Sequence, residues 1–228
     1  MPKAAFEQIA PEKRERILDE AARLFAERGF NNADMAELAR RAGVAKGSIY
    51  NYFDNKEELY VHVCRDGLER SRQAVYGALD PSWDIYRQVD HIFRRGARFA
   101  REHPEYVTLY LNVSAAGMGR FADRLSRDVE KPTADHLKRL IRREQQAGRV
   151  RADLEPRLGA LFINSLYVLV LVSLVSRHFQ IRLREYLELE GDLSEQATKT
   201  PLRQTIGMIH QLLRPGPDGP GRIERRTQ

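Results

Sequence analysis

Residues 34–59 read DMAELARRAGVAKGSIYNYFDNKEEL, a pattern that predicts two short helices around a glycine-containing turn. Asp34 and Glu37 have the spacing of a capping box at the start of the first helix. Residues 43–45 predict a tight turn into the second helix. This is the helix-turn-helix pattern, whose second helix can lie in the major groove of DNA. Because many protein cores contain the same arrangement, the pattern alone leaves a purely structural role open.

Helices are also predicted on both sides of this segment. Between about Glu12 and Arg28, apolar residues recur at i, i+4, i+7 and i+8, and Gly29 then ends the helix because glycine adopts left-handed backbone conformations easily. On the other side, Asn55 and Glu58 form a second pair typical of a helix start. The segment therefore lies within a group of helices.

The rest of the chain is predicted to form longer helices. No segment shows the two-residue alternation of a half-buried strand. A polar stretch, residues 188–200, is compatible with either a loop or a frayed helix. Further helices are expected over Ile85–Arg101, from Pro104, from Pro132 to Gly148, from Pro156 and over Pro201–Leu213.

The composition limits the class of protein. The 228 residues include 38 Lys+Arg and 32 Asp+Glu, which gives a net charge of +6, and a single cysteine. Cys64 cannot form an intramolecular disulfide, which favours a reducing compartment. Four basic residues and one acidic residue lie between Arg40 and Lys56, so half of the net charge falls on the helix-turn-helix segment. Clustered cations of this kind favour a phosphate-bearing partner.

Residues 158–175 contain no charged side chain. The length of this uncharged run is close to that needed to span a bilayer. An apolar helix in a protein core or an oligomer interface passes the same test. Polar residues inside the run and a mean hydropathy of −0.54 for the chain favour the buried helix. The N-terminus lacks the apolar stretch of a secretory signal. We therefore expect a cytoplasmic protein with no stable membrane insertion.

Two runs carry a family resemblance: residues 17–30, ILDEAARLFAERGF, and residues 38–59. With their Ala-Gly-Val, Lys-Gly, Tyr-x-Tyr-Phe and Lys-Glu elements in register, they resemble the DNA-binding domain of tetracycline-repressor (TetR/AcrR-type) transcriptional regulators. The resemblance covers about Pro11 to Ser71. Family members often have Thr or Ser where this chain has Ala33-Asp34 and Ala45, so phosphate contacts are not carried over to those positions.

The resemblance, together with the helical pattern and the Pro/Gly-rich end of the sequence, implies an all-α fold of four parts. These are a flexible N-terminal arm (1–10), a helix-turn-helix DNA-binding domain (11–71, with the motif at about 34–53), a helical ligand-binding and dimerisation domain (72–213) and a disordered basic tail (214–228). It further implies a homodimer that pairs its last two helices with those of a second subunit. Such a dimer reads a palindromic operator in double-stranded DNA.

Within the motif, the second helix and the next helix start carry the expected DNA contacts. Lys46 can reach a phosphate or a guanine edge, Ser48 and Asn51 can reach base edges, and Gly47 leaves room for close backbone approach. Ile49 and Phe53 are expected to be structural. The full set of candidate DNA-binding residues is Lys46, Gly47, Ser48, Tyr50, Asn51, Tyr52 and Lys56.

The helical domain is expected to bind a small inducer. Aromatic and polar positions on its middle helices are the candidates, and their low charge favours an apolar or amphipathic molecule. The candidate ligand-binding residues are Tyr86, Phe93, Tyr106, Tyr110, Phe121, Phe162, Asn164 and Tyr167.

The expected function is therefore a ligand-responsive transcriptional regulator, in this family most often a repressor. No enzymatic activity, cofactor or metal is expected, since His62 and Cys64 are two apart on a helix and face different sides. Two alternatives stay open. One is a DNA binder of the same fold that organises chromosomes, and the other is a helical membrane or protein-interaction module whose motif is structural.

Overall fold

The computed structural model describes residues 2–115, 117–191 and 193–216, which form helices joined by loops, without a strand among them. This confirms the all-α prediction. Of the predicted tail, residues 217–228 lie outside the described residues. The helices are α1 (Ala4–Glu7), α2 (Pro11–Asn32), α3 (Met35–Arg41), α4 (Lys46–Tyr52), α5 (Lys56–Tyr76), α6 (Ile85–Glu102), α7 (Pro104–Val113), α8 (Gly119–Gln146), α9 (Pro156–Val175), α10 (Arg177–Leu187) and α11 (Glu195–Leu213).

Contacts between residues divide the chain into two units. The first contains the residues up to 74 together with 99–129, and the second contains 75–98 and the residues from 130 onward. This differs from the single boundary between 71 and 72 expected from the sequence. The chain returns to the first unit for α7 and the first turns of α8, whose apolar residues belong to the first unit's core. That return has no signal in local sequence patterns.

Local capping explains how the helix-turn-helix is built in the first unit. The Asp34 carboxylate accepts from the backbone N–H of Ala36 at 2.8 Å, and Asn55 Oδ1 accepts from the backbone N–H of Glu58 at 2.9 Å, as predicted. Glu37 is not the second half of a capping box. It accepts from Arg41 one turn further along α3, because a guanidinium within reach competes for the carboxylate.

The N-terminal arm expected to be flexible makes contacts with the first unit from its third residue. Lys3 donates its backbone N–H to the carbonyl of Tyr52, and the short helix α1 follows. Phe6 in α1 is completely buried. Burial of an aromatic side chain stabilises a segment by about 2–3 kcal/mol, which is enough to order a few residues. Residues 3–7 thus pack against the first unit, and the flexibility of residues 1–10 stays a prediction.

In the second unit, prolines lie inside two helices that they were expected to open. Pro132 lies within α8, and Pro201 lies in the second turn of α11. Ser194 starts α11 instead, since its hydroxyl accepts from the backbone N–H of Ala197 at 3.2 Å. Of the undecided stretch 188–200, residues 188–191 and 193–194 lie outside the helices and residues 195–200 belong to α11, while residue 192 lies outside the described residues. The core of this unit is formed by α6, α8, α9 and α11, with Phe93, Ile141, Ile163 and Ile209 among its buried residues.

Candidate nucleic-acid interface and ligand cavity

The second helix of the motif, α4, has one buried and one exposed side. Ile49 and Tyr52 are buried, at 2% and 7% exposure, and they fix the helix to the core. Most of the predicted DNA-contact residues of α4 lie on the opposite side, where Tyr50 is 43% exposed. Residues on this side are Lys46, Gly47, Tyr50 and Asn51, with Ser48 half-buried beside them.

Gly47 has no explanation within the chain. A Cβ atom added there would meet nothing within 4 Å, and the backbone is not in the left-handed region that favours glycine. A glycine inside a helix costs roughly 0.5–1 kcal/mol relative to alanine. Gly47 therefore lowers the stability of α4, and no contact inside the protein requires a glycine there. This is expected where another molecule approaches the backbone closely.

Two predicted contact residues have structural roles. The ammonium of Lys56 donates to the carbonyls of Asn31 at 3.0 Å and Ala33 at 3.2 Å, so two of its three protons are used to tie the start of α5 to the end of α2. It also lies 4.8 Å from the centre of the Phe30 ring. Tyr52 packs its ring into the core. Their contacts with DNA remain predictions.

The cations counted in the motif are not equally available. Arg41 pairs with the carboxylates of Glu27 and Glu37. The hydrogen bonds that Arg41 donates to Glu27 and then to Glu37 raise the pKa of Arg41 above its usual value. In contrast, no ion pair involves Lys46 or Arg40 among the residues that the structure describes. The charge available to a partner is therefore concentrated at Arg40, Lys46 and Lys56, and Lys56 already donates to two carbonyls.

Sequence reasoning missed Lys3 and Arg16, which both donate to carbonyls of the motif. The Lys3 ammonium donates to the carbonyl of Tyr50 at 3.0 Å and pairs with Asp54 at 3.0 Å. Arg16 Nε donates to the carbonyl of Ala42 at 2.9 Å, where α3 ends. The only sequence signal for the first contact was Phe6, a large apolar residue in a segment that was read as an arm.

A small cavity lies inside the second unit. Its volume is about 10 Å³, roughly the space of one water molecule. Three of the predicted ligand residues line it: Phe93 and Tyr167, whose rings meet at 5.4 Å, and Asn164. Tyr167 also packs against Gly96, where an added Cβ would lie 2.7 Å from Cζ of the ring. The lining residues that sequence reasoning missed are Tyr76, Val89, Ile92, Thr133, Leu137 and Ile163.

No charged side chain lines this cavity. Burial raises the pKa of Tyr76 despite a hydrogen bond with Thr133, and burial also raises the pKa of Tyr167, so both phenols stay neutral. The wall of the cavity is therefore almost entirely apolar, which is a suitable surface for the apolar part of a ligand.

The other five predicted ligand residues lie elsewhere. Tyr86 belongs to the second unit but donates its hydroxyl to the carbonyl of Arg149 at 2.7 Å. Phe162 is 44% exposed. Tyr106, Tyr110 and Phe121 belong to the first unit, where Phe121 packs on Tyr60 at 4.8 Å. Aromatic residues on amphipathic helices pack in every part of a core, so residue type did not separate cavity from packing.

Helix α9 exposes much of its apolar surface. It is a helix long and apolar enough to cross a membrane, with a mean hydropathy of 2.3, but an oligomer-forming helix of a soluble protein has the same composition. Only 28% of that window is buried, so the expected buried helix is not buried within one chain. Leu158 and Leu161 are 65% and 63% exposed. An exposed patch of this kind marks an interaction surface.

Comparison with known proteins agrees with this geometry. The family model described as bacterial regulatory proteins, tetR family, matches residues 17–63. The HTH-type transcriptional repressor Rv1474c of Mycobacterium tuberculosis is 28% identical over 196 residues, which cover 83% of this chain and 96% of that protein.

Solved structures share the fold across most of the chain. The transcriptional regulator FadR from Bacillus subtilis, in complex with stearoyl-CoA, has a TM-score of 0.69 at 14% identity, and the match covers 87% of this chain and 98% of that one. AibR, in complex with isovaleryl coenzyme A and operator DNA, has a TM-score of 0.63 at 20% identity over 88% of this chain and 98% of that one.

Proposed function

This chain belongs to the TetR family of bacterial regulatory proteins, which are DNA-binding transcriptional regulators and not enzymes, and on that premise we propose that it is a ligand-responsive homodimeric repressor acting in the cytoplasm. The exposed side of α4 carries the proposal. This side carries Lys46, Gly47 and the polar Asn51, and no contact inside the protein requires a glycine at position 47. Buried residues on the opposite side pack α4 against the core. These are the parts of a helix that enters the major groove.

The exposed apolar side of α9 supports the dimer. Burying side chains such as Leu158 and Leu161 against a second copy would remove them from water, at about 25 cal/mol per Å² of apolar surface. In a two-fold dimer, the two copies of α4 bind two DNA half-sites whose centres lie roughly 34–36 Å apart. Because the dimer is symmetric, the operator is then a palindrome.

The cavity in the second unit supports an apolar or amphipathic inducer. Its wall is almost entirely apolar and is lined mostly by aliphatic and aromatic residues. A cavity of about 10 Å³ is too small for such a molecule, so binding must select a conformation in which it is larger. If that conformation does not bind the operator, the ligand shifts the population away from DNA. Acyl-CoA molecules, bound by FadR and AibR, provide the first compounds to test, with the apolar acyl chain and not the charged coenzyme A group expected in this apolar cavity.

The function is tested by selecting bound duplexes from random DNA with the wild-type protein and then measuring the affinity of variants for the recovered palindrome. Lys46→Ala should weaken binding at every sequence and reduce the slope of log K against log salt by about one, while Lys131→Ala, an exposed lysine on α8, should change neither.

Gly47→Ala gives a second, independent test. It should weaken operator binding while leaving the Tm equal or higher, because the new methyl group meets open space in the protein. Gly119→Ala is the matched control, since an added Cβ there also meets nothing within 4 Å. Recovery of no duplex, or equal affinity of Lys46→Ala, Gly47→Ala and their controls, would refute the assignment of α4 as the DNA-reading helix.

A further inference from the structure

Helix α4 lacks most features that stabilise a short helix by itself. It has seven residues, one of which is Gly47, and its N-cap residue Ala45 makes no side-chain capping hydrogen bond. Its last turn contains no basic residue to interact with the negative end of the helix dipole. Isolated helices of this length do not form in water. The conformation of α4 therefore depends on what surrounds it.

Lys3 supplies the missing interactions at the C-terminal end of α4. The last carbonyls of a helix have no partner within the helix. Here the backbone N–H of Lys3 donates to the carbonyl of Tyr52 at 2.8 Å, and the Lys3 ammonium donates to the carbonyl of Tyr50 at 3.0 Å. The ammonium, which also pairs with Asp54 at 3.0 Å, is thus a cation at the negative end of the dipole, provided from a distant part of the sequence.

Phe6 holds Lys3 in place and packs on the same end of α4. Its ring centre lies 4.8 Å from that of Phe53 and 5.6 Å from that of Tyr52. The ring of His62 packs in a T-shaped arrangement with Phe6, with the two ring centres 5.8 Å apart. Phe6 itself is completely buried. Glu7, the last residue of α1, accepts from Arg14 of α2 at 2.8 Å, which fixes the other end of the short helix.

We propose that Lys3 and Phe6 are positioning residues for DNA binding, because they hold the C-terminal end of α4 in the conformation that reads the operator. This inference rests on the proposed function. Phe6 acts without touching DNA, since it has no exposed surface. When α4 frays, only the fraction of molecules with an intact helix binds, and the apparent affinity falls by that fraction.

The first test measures hydrogen exchange of the backbone amides of α4 in the free protein. Phe6→Ala should accelerate exchange in α4 and at Phe53. Phe99→Ala is the matched control, because it removes the same ring from the same unit but contacts His103 and Tyr106 rather than α4. Equal exchange of α4 in the two variants would overturn the proposal. This measurement needs no DNA, so it stands even if the proposed function fails.

The second test measures affinity for the palindromic duplex selected with the wild-type protein. Phe6→Ala and Lys3→Gln should each weaken binding by about tenfold with an unchanged salt slope, since the bound state keeps all its phosphate contacts. Lys3→Arg should restore affinity, because a guanidinium donates to the same carbonyls. Phe6→Leu, which keeps an apolar side chain, should lie between wild type and Phe6→Ala. A salt slope reduced by about one in Lys3→Gln would instead make Lys3 a phosphate contact and overturn its positioning role.

Discussion

Replacement of Gly67 by alanine should destabilise the protein, although alanine is the better helix former. Gly67 lies in α5, and the ring of Tyr106 from α7 packs directly on it. An added Cβ would lie 2.7 Å from Cε1 and 2.8 Å from Cγ of that ring. Because Cδ1 of the ring would lie closer still, the ring must retreat by more than about 1 Å to reach an ordinary carbon–carbon contact of about 3.5 Å.

Tyr106 has little freedom to retreat. It is 7% exposed, its ring stacks on Phe99 at 6.2 Å, and its hydroxyl donates to Asp66 at 3.4 Å. Overpacking of this kind costs about 1–3 kcal/mol, from which the helix propensity of alanine returns up to about 1 kcal/mol. The net loss is therefore up to about 2 kcal/mol, which corresponds to a fall in Tm of up to roughly 8 °C for a chain of this size.

The assay is thermal and urea unfolding of Gly67→Ala beside wild type. In a Tyr106→Leu background the ring is absent, so the same substitution should cost less, and the double-mutant cycle measures the difference. The reasoning would be refuted by a Gly67→Ala variant at least as stable as wild type, or by an equal cost in both backgrounds.

Three further predictions concern titration, a buried carboxylate and assembly. Burial lowers the pKa of His62 and His136, so the unfolded chain takes up protons first, and the free energy of unfolding should fall as pH drops below about 6.5. Urea unfolding at pH 7.5 and 5.5 measures this, and the fall should be smaller in His136→Asn. Glu144 is fully buried and accepts from the guanidinium groups of Arg143 and Arg149, so Glu144→Gln should lower the Tm, whereas an unchanged Tm would show that the pair contributes nothing. Leu161→Glu places a charge on the exposed side of α9 and should yield monomers of 26.3 kDa in light scattering, while a retained dimer would move the interface elsewhere.

The helix-turn-helix could be predicted from the sequence because its signals are local. Asp34, Gly43 and Asn55 set the helix boundaries through neighbouring backbone atoms, and the structure has them in those roles. Phe6 and Pro132 were misread because their environment comes from residues far along the chain. Phe6 finds a ring pocket beside Tyr52 and Phe53, and Pro132 is carried within a 28-residue helix whose other turns are intact.

The candidate site also contains residues that local sequence patterns predict and residues that depend on distant parts of the chain. The exposed side of α4 follows from helical periodicity, so Lys46 and Asn51 were placed correctly on it. The second role of Lys56 did not follow, since its partners are backbone carbonyls at the end of another helix. The cavity was the least predictable feature. Its wall is mostly aliphatic, and aliphatic residues carry no sequence signal that separates a lining from ordinary packing.

The pairing of Arg41 with Glu27 and Glu37 has a consequence for the search along a chromosome. Cations that are neutralised internally release no counterions from DNA, so they add nothing to sequence-independent adhesion. Fewer molecules are then held on the vast excess of non-operator DNA, where competing sites number in the millions. A regulator with a modest charge on its reading surface needs fewer copies per cell to keep its operator occupied, and it depends more on base contacts to find it.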